Sequence, residues 1–254
     1  VLTHRISHLI AQGVPPWRIL AVTFTNKAAR QMRQRVGEQL QGAIESLTIG
    51  TFHATCARIL HQESACLRVT HDFVIYDSAD QLAMIKEAME YLGVDTKIHR
   101  PQAIHGAISN AKNELVGPDE YQTNTYFGEI VARVYDRYQF LLQENNALDF
   151  DDLLMNVVEV FRDYPDVLSR YRTKYTHVLV DEFQDTNIAQ YKILQLLTGR
   201  HRQLYVVADP DQSIYRWRGA DYRNVQRFED EYPDAQVYKL EQNYRSTQAI
   251  LDSA

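Results

Sequence analysis

Short, continuous runs of apolar and β-branched residues recur along this chain, and they constrain its fold more than any other feature. Parallel strands that are buried on both faces need such runs, whereas strands with one wet face alternate. Helical patterns, with apolar residues every three or four positions, separate the runs. Strands alternating with helices predict an α/β layered domain whose ligands bind at the C-terminal ends of the strands. The predicted strands are Ile19–Thr23, Leu47–Ile49, Val74–Tyr76, Val178–Val180, Leu204–Ala208 and Val237–Leu240.

Residues 77–176 differ from their surroundings, because helical periodicity prevails there and little suggests strands. One apolar face is followed by Gly93, a residue suited to a helix C-terminus. A helical block between strands of one sheet predicts an inserted, all-helical subdomain. The apolar faces are Leu82, Ile85, Met89 and Leu92; Ile130, Val134, Tyr138 and Leu141; and Leu154, Val157, Val158 and Phe161.

The charge distribution leaves the class of ligand open. The formal net charge is −6, which does not by itself indicate a protein that binds nucleic acid. However, residues 1–60 contain seven Lys and Arg residues against two Glu residues. This asymmetry permits a local phosphate-binding surface, although a solvated helix face would explain most of Arg30–Arg35. No apolar run is long enough to cross a bilayer, so we expect no membrane association.

Two cysteines, Cys56 and Cys66, are too few for a disulfide framework and favour reduced thiols in a cytoplasmic protein. With His53 and His61 they offer four potential metal ligands, but the spacing matches no standard zinc pattern. Cys56 also shares the apolar face of a predicted helix. We therefore interpret these residues as buried or incidental rather than as a zinc site.

The segment from Val178 to Asn187 is the most informative stretch. A buried strand there ends in two adjacent acids, Asp181 and Glu182. Because side chains alternate along a strand, the two carboxylates point in different directions and suit different tasks. One can hold Mg²⁺ while the other polarises an attacking water. The alternative is an acidic loop in which Asp185 or Asn187 caps the following helix.

A polar turn and an aromatic–cationic cluster follow the predicted strand Leu204–Ala208. The turn is Asp209–Gln212, and the cluster comprises Tyr215, Arg216, Trp217 and Arg218. Aromatic faces stack on bases, while arginines hold backbone phosphate. The alternative is a pair of core aromatics flanked by surface arginines. Arg216 and Arg218 flank Trp217. Burying this segment would leave two charges without solvation, so we predict that the aromatic cluster is exposed.

Three further strand ends run into helices and carry polar residues. At the first, Thr25–Lys27 surround a helix N-terminus that could bind phosphate, and Phe24 could stack on a base or pack inside. At the second, Thr51 and His53 are polar candidates, with a helix cap the plain interpretation of Thr51. At the third, Arg245 could reach a triphosphate or form a surface ion pair.

Together, and in this order, these stretches resemble the superfamily-1A DNA helicases related to UvrD, PcrA and Rep. The resemblance covers essentially the whole chain and comprises the family's motifs Ia, Ib, II, III and IV. The matching segments are Thr23–Ala29, Thr51–His53, Val180–Asn187, Ala208–Gly219 and Leu240–Ser246, respectively. The implied fold is a RecA-like parallel sheet, lobe 1A, carrying a helical insertion, 1B. The implied activity is ATP-driven 3′-to-5′ translocation and duplex unwinding.

The resemblance also implies roles for residues of the ATP site. Asp181 is expected to bind Mg²⁺, and Glu182 to activate the hydrolytic water. Gln212 is expected to contact the γ-phosphate and to couple it to the DNA site. Arg245 would act as an arginine finger, and Tyr244 would lie near the adenine.

A second set of residues is expected at single-stranded DNA. Aromatic rings would line a base-stacking channel, and polar side chains would lie near the DNA backbone. The expected DNA-binding residues are Phe24, Thr51, His53, Tyr215, Trp217 and Arg218. The implied partners are ATP, single-stranded DNA and junctions between duplex and single strand, while the sequence indicates no partner protein.

The resemblance divides the chain into four parts. Residues 1–76 and 177–239 would form lobe 1A, residues 77–176 subdomain 1B, and residues 240–254 motif IV with the start of lobe 2A. Two departures from the family pattern are minor: Phe183 stands where Tyr is usual, and Ala208 where Gly is frequent.

A third departure is serious. The family's phosphate loop has the form G-x-x-x-x-G-K-[ST], and none of the ten glycines here is followed by Lys. We therefore expect an internal fragment of a helicase that does not hydrolyse ATP by itself. The competing hypothesis is a non-catalytic module that binds single-stranded DNA. The nucleotide-sensing residues Asp181, Glu182, Gln212 and Arg245 favour the helicase, because a binding module has no use for them.

Overall fold

The computed structural model describes residues 1–40, 44–199, 203–212, 221, 223–242 and 247. In chain order the strands are β1 (Ile19–Thr23), β2 (Thr48–Thr51), β3 (Val74–Ile75), β4 (Ala147–Leu148), β5 (His177–Val180) and β6 (Leu204–Val206). The helices are α1 (Leu2–Ala11), α2 (Asn26–Leu40), α3 (Phe52–Gln62), α4 (Ser78–Tyr91), α5 (Pro101–Asn113), α6 (Tyr126–Glu144), α7 (Phe150–Asp163), α8 (Pro165–Lys174), α9 (Ile188–Thr198) and α10 (Arg223–Glu231). Among these residues no helix is long and apolar enough to cross a membrane.

Four strands form a parallel sheet in the order β2-β1-β5-β6. Strands β1 and β2 are buried at every position, as their continuous apolar runs predicted. Gly50, Val22, Val180 and Val206 share one row across the sheet. The four strands therefore end at the same edge, and the residues that follow them are neighbours. The predicted α/β fold is confirmed.

Helices cover both faces of this sheet, and alternate strand residues serve the two faces. Ile19, Ala21 and Leu179 pack with α1 and α2 in one core. Leu20 and Val178, each one residue away along the strand, pack with α3, α7 and α9 in the larger core on the other face. This two-sided packing fixes the orientation of each strand end, because a slip of one residue would exchange the two faces.

Helices α4, α5 and α6 share a core of their own, built from the apolar faces predicted around Ile85, Met89 and Tyr138. Gly93 follows α4 with φ of +66°, as expected of a helix-ending glycine. The later helices α7 and α8 pack instead in the larger core of the sheet. The independent helical core is therefore narrower than the predicted segment 77–176, whose limits as a subdomain stay a prediction.

Two predicted strands are corrected by the structure. Val74 and Ile75 do form a strand, but it pairs with β4, inside the segment expected to be helical, and not with the main sheet. The apolar run Val237–Leu240 forms no strand, and the side chains of Val237, Tyr238 and Leu240 are exposed. A short apolar run supplies only one requirement of a strand; the other is a neighbour for its backbone, and no described residue pairs with this run.

Candidate nucleotide and DNA site

The shared edge of the sheet gathers the predicted site residues that the structure describes. Phe24 follows β1, His53 lies in the first turn of α3 after β2, and Asp181 and Glu182 follow β5. A 3₁₀ turn that ends at Gln212 comes after β6. The convergence predicted from the strand ends is thus present. Tyr215, Trp217, Arg218, Tyr244 and Arg245 lie outside the described residues, and their placement stays a prediction.

Glu182 has a left-handed backbone conformation, with φ of 51° and ψ of 43°. For a residue other than Gly this conformation costs roughly 1–3 kcal/mol and persists only where the surroundings impose it. They do so here from both sides. The Asp181 N–H donates to the Val22 carbonyl at 3.0 Å, and the Phe183 N–H donates to the Val207 carbonyl at 2.9 Å. Glu182 lies between these two hydrogen-bonded amides and is exposed, whereas Phe183 is buried.

The carboxyl groups of Asp181 and Asp185 both lie near the charge of Glu182. Burial, and then the charge of Glu182, raise the pKa of Asp181. The same two causes raise the pKa of Asp185 to about 6. The Oδ1 atom of Asp185 is buried and has no hydrogen-bond partner among the residues that the structure describes. A cation beside this cluster would offset the cost of ionising it.

The donor set fits Mg²⁺ bound together with a nucleotide. Within the described ranges, no group of three or more His, Cys, Asp or Glu side chains is arranged to hold a metal ion. Magnesium at nucleotide sites does not need such a group, since one or two carboxylates, waters and substrate phosphates complete its shell. Asp181 is half-buried at the sheet edge, where its carboxylate could supply one of those ligands.

Gln184 links the acid pair to the turn after β6. Its side-chain amide donates to Glu182 Oε2 at 2.8 Å, and its carbonyl oxygen accepts from the Asp209 N–H at 3.0 Å. Asp209 in turn accepts from the backbone N–H of Gln212 at 3.0 Å and from the Gln212 side-chain amide. The sequence interpretation assigned no role to Gln184. Its position two residues after Glu182 was the only signal available.

Two of the residues expected at DNA, Phe24 and His53, pack against other aromatic rings and remain partly exposed. Phe24 is half-buried, and its ring packs edge-on against Phe52 with centroids 6.1 Å apart. His53 is half-buried too and meets the Phe150 ring edge-on at 6.0 Å. Burial lowers the pKa of His53 and so favours its neutral form.

Two threonines on the same edge cap helices. Thr51 Oγ1 accepts from the Ala54 N–H at 3.2 Å, which confirms the plain interpretation of Thr51 as the N-cap of α3. Thr25 Oγ1 accepts from the Ala28 N–H at 3.1 Å at the start of α2. These bonds orient the N-termini of both helices at the sheet edge. A contact of Thr51 with DNA stays a prediction.

The residues considered as zinc ligands have other surroundings. Cys56 is buried in the larger core, where burial raises the pKa of its thiol. The ring of His61 stacks on Phe73 at 4.1 Å, and its Nδ1 lies 2.8 Å from the His71 carbonyl. Packing thus accounts for both residues.

A polar network joins the acid loop to the helical core. Asn187 caps α9, as the alternative interpretation of this segment predicted, because its Oδ1 accepts from the Gln190 N–H at 2.8 Å. The contacts beyond this cap were not predicted. The side-chain amide of Asn187 donates to Asn113 Oδ1, at the end of α5. Asn113 also donates to Asp151 Oδ1 at 3.2 Å on α7. The loop that carries the acid pair is thus tied to the helices by hydrogen bonds between side chains.

The parallel sheet, the helices on both faces and the acid pair at a strand end define a RecA-like α/β domain. A family model described as the UvrD/REP helicase N-terminal domain matches residues 1–233. The chain therefore belongs to the UvrD/REP helicase family.

Three curated relatives are each named ATP-dependent DNA helicase PcrA. The protein of Bacillus subtilis is 48% identical over 257 residues, which cover 100% of this chain and 35% of the relative. The protein of Leuconostoc citreum is 47% identical over 258 residues, covering 100% of this chain and 34% of the relative. The protein of Staphylococcus aureus strain Mu50 is 46% identical over 257 residues, with 100% and 35% covered. The chain spans about a third of the length of these relatives.

Proposed function

We propose that the protein containing this chain is an ATP-dependent DNA helicase that moves 3′ to 5′ along single-stranded DNA. The observation that carries the proposal is the meeting, at one sheet edge, of the acid pair Asp181–Glu182 with the turn of Gln212 and the strand end of Phe24. Nucleotide chemistry and DNA contact would then share a single rigid support. The names of the relatives, all ATP-dependent DNA helicases, agree with this proposal.

In the proposed ATP site each residue has a separate task. Asp181 would hold Mg²⁺, which when bound neutralises charge on the β- and γ-phosphates. Glu182 would accept the proton of the attacking water, a task suited to an exposed carboxylate beside the phosphates. Gln212 would contact the γ-phosphate, Arg245 would stabilise the charge developing in the transition state, and Tyr244 would lie near the adenine.

In the proposed DNA site, Phe24, Tyr215 and Trp217 would stack on bases, and His53 and Arg218 would lie near the backbone, with Thr51 beside them. Junctions between duplex and single-stranded DNA would be the substrate. Residues 1–76 and 177–239 would form lobe 1A around a helical subdomain at residues 77–176. Residues 240–254 would begin the second lobe.

Substitution of Glu182 tests the proposed general base. In the full-length protein, Glu182→Gln should abolish ATP hydrolysis stimulated by single-stranded DNA and preserve binding of ATP and DNA, because the amide keeps the shape but cannot accept the proton. Glu144→Gln on α6, also exposed, is the matched control and should retain turnover. Normal turnover in Glu182→Gln would reject the assigned base.

Two further measurements separate the proposed helicase from its alternatives. Unwinding of duplexes with a 3′ single-stranded tail, and not of those with a 5′ tail, is expected from the proposed polarity. The 254 residues alone should hydrolyse ATP at background, because none of their glycines precedes a lysine able to hold the β-phosphate. If the full-length protein bound single-stranded DNA without stimulated hydrolysis, the non-catalytic binding module would be favoured instead.

A further inference from the structure

We propose that Gln184 is a positioning residue that holds the Glu182 carboxylate for the attacking water and connects it mechanically to the turn of Gln212. The inference rests on the function proposed above and deepens it. It concerns a side chain that lies beside the expected general base and acts through it.

The hydrogen bonds of Gln184 permit only one orientation of its amide. The carboxylate of Glu182 can only accept, so the –NH₂ group of Gln184 must face it, at 2.8 Å. The backbone N–H of Asp209 can only donate, so the carbonyl oxygen of Gln184 must face that group, at 3.0 Å. Each end of the amide meets the partner it requires. The Gln184 side chain itself is 1% exposed, so its amide has little access to water.

Glu182 needs such a restraint because its own surroundings provide little. Its backbone is fixed in the left-handed conformation, but its side chain is exposed. A glutamate side chain has several accessible rotamers, and a general base must lie within hydrogen-bonding reach of the water that it activates. The bond from Gln184 is assisted by the charge of the carboxylate and is therefore about twice as strong as a neutral one. It selects one position of Glu182.

The other end of Gln184 reaches the segment that carries Gln212. Asp209 organises that turn: its side chain accepts from the Asp211 N–H at 3.1 Å and from the Gln212 amide, and its carbonyl accepts from the Gln212 N–H. A shift of this turn would pull on Gln184 and so on Glu182. In sequence the turn leads directly into the predicted DNA-stacking cluster at residues 215–218. Gln184 is thus placed to pass a displacement from the DNA side to the general base.

Two substitutions of Gln184 break this link in different ways. Gln184→Glu keeps an acceptor for the Asp209 N–H, removes the donor to Glu182 and adds a like charge beside it. Gln184→Met keeps a similar length and removes both hydrogen bonds. Gln190→Met is the control, because Gln190 is also buried, in the first turn of α9, and its side-chain oxygen accepts from the Asn187 N–H in the helix cap and not from the turn of Asp209.

Steady-state ATP hydrolysis by the full-length proteins gives the readout. Gln184→Glu should lower kcat by at least about tenfold with little change in the KM for ATP, since general bases contribute about 10²–10⁴-fold and this one is displaced. Gln184→Met should also lower kcat, and both variants should lose most of the stimulation by single-stranded DNA, because each removes the hydrogen bond from residue 184 to Glu182.

A merely structural role for Gln184 would give a different result. Both Gln184 variants would then lower the melting temperature, while their kcat and their DNA stimulation would match those of the control Gln190→Met, and the inference would be overturned. Glu182→Gln keeps this outcome distinct from failure of the proposed function. If Glu182→Gln is inactive and both Gln184 variants behave as wild type, only the positioning role is rejected; if Glu182→Gln turns over normally, the general base itself is wrong.

Discussion

The ammonium group of Lys112 lies 2.7 Å from Asp149 Oδ2, although both side chains are almost completely buried. Asp152 Oδ1 lies at the same distance from it. Both aspartates also form the capping box of α7, so a single cation on α5 holds the first turn of that helix. Helix α5 belongs to the helical core, and α7 packs in the sheet core. A buried ion cluster therefore fastens the two cores together.

Removal of the cation should destabilise the fold. Lys112→Met would leave two buried carboxylates without their partner, and loss of one side of a buried ion pair costs about 3–5 kcal/mol. The free energy of unfolding, measured by urea denaturation at pH 8, should fall by that amount. Lys86→Met removes an exposed lysine of α4 and should change it by less than about 0.5 kcal/mol.

The loss of unfolding free energy caused by Lys112→Met should be smaller at acid pH. Burial, and then the charge of Asp149, raise the pKa of Asp152 to about 6 already in the presence of Lys112. Without Lys112 the native state would take up protons more readily still, so lowering the pH below about 6 would neutralise the stranded charge. A deficit that stays equal between pH 8 and pH 5 would show that lost packing, and not charge, causes it.

A second pH-dependent prediction concerns Asp185 in the acid loop. Burial, and then Glu182, raise the pKa of Asp185 to about 6 in the folded protein, above its unfolded value of 3.8. Protonation of Asp185 therefore stabilises the folded state. This stabilisation is complete below about pH 4 and is lost as the pH rises through about 6. Asp185→Asn cannot ionise and should melt at a higher temperature than wild type at pH 8, and at the same temperature near pH 4. Asp119→Asn, at an exposed position, should show no such pH-dependent difference in melting temperature from the wild type.

The sheet edge was predictable because the signals for it are local. Continuous burial of a run such as Ile19–Thr23 and the polar residues after each run follow from the chain itself, as does the cap at Thr51. Parallel pairing then brings the ends together without further information. The fold class and the gathering of Asp181 with Phe24 at one edge could therefore be derived before any coordinates.

The partners of buried polar groups were not predictable, since they depend on pairings over long sequence separations. Gln184 meets Asp209, and Asn113 meets Asn187, only after the sheet and the helical core have assembled. Nothing in the residues around Asn113 distinguishes it from a surface amide. Strand β4 was missed for a related reason, because two residues are too few to show a period. The run Val237–Leu240 had the right pattern but no neighbouring strand.

The contact between Asn113 and Asn187 should appear as a coupling energy. Each amide satisfies the other in a buried setting, so either Asn113→Ala or Asn187→Ala alone leaves an unsatisfied polar group. The double variant removes both groups at once. We expect its loss of unfolding free energy to be smaller than the sum of the single losses by about 1 kcal/mol. Losses that add to within about 0.3 kcal/mol would mean that the two side chains do not interact in solution.

The stacking role of Trp217 can be tested against the other tryptophan of the chain. If the Trp217 ring stacks on a base, Trp217→Ala should weaken binding of single-stranded DNA by about 1–3 kcal/mol and leave the melting temperature unchanged. Trp17 is 54% exposed, but it precedes β1 and so lies at the sheet edge opposite to the proposed DNA site. Trp17→Ala should therefore leave DNA affinity unchanged, as measured by fluorescence anisotropy of a labelled oligonucleotide. Unchanged affinity of Trp217→Ala together with a lowered melting temperature would return Trp217 to the core, and the flanking arginines would then need another explanation.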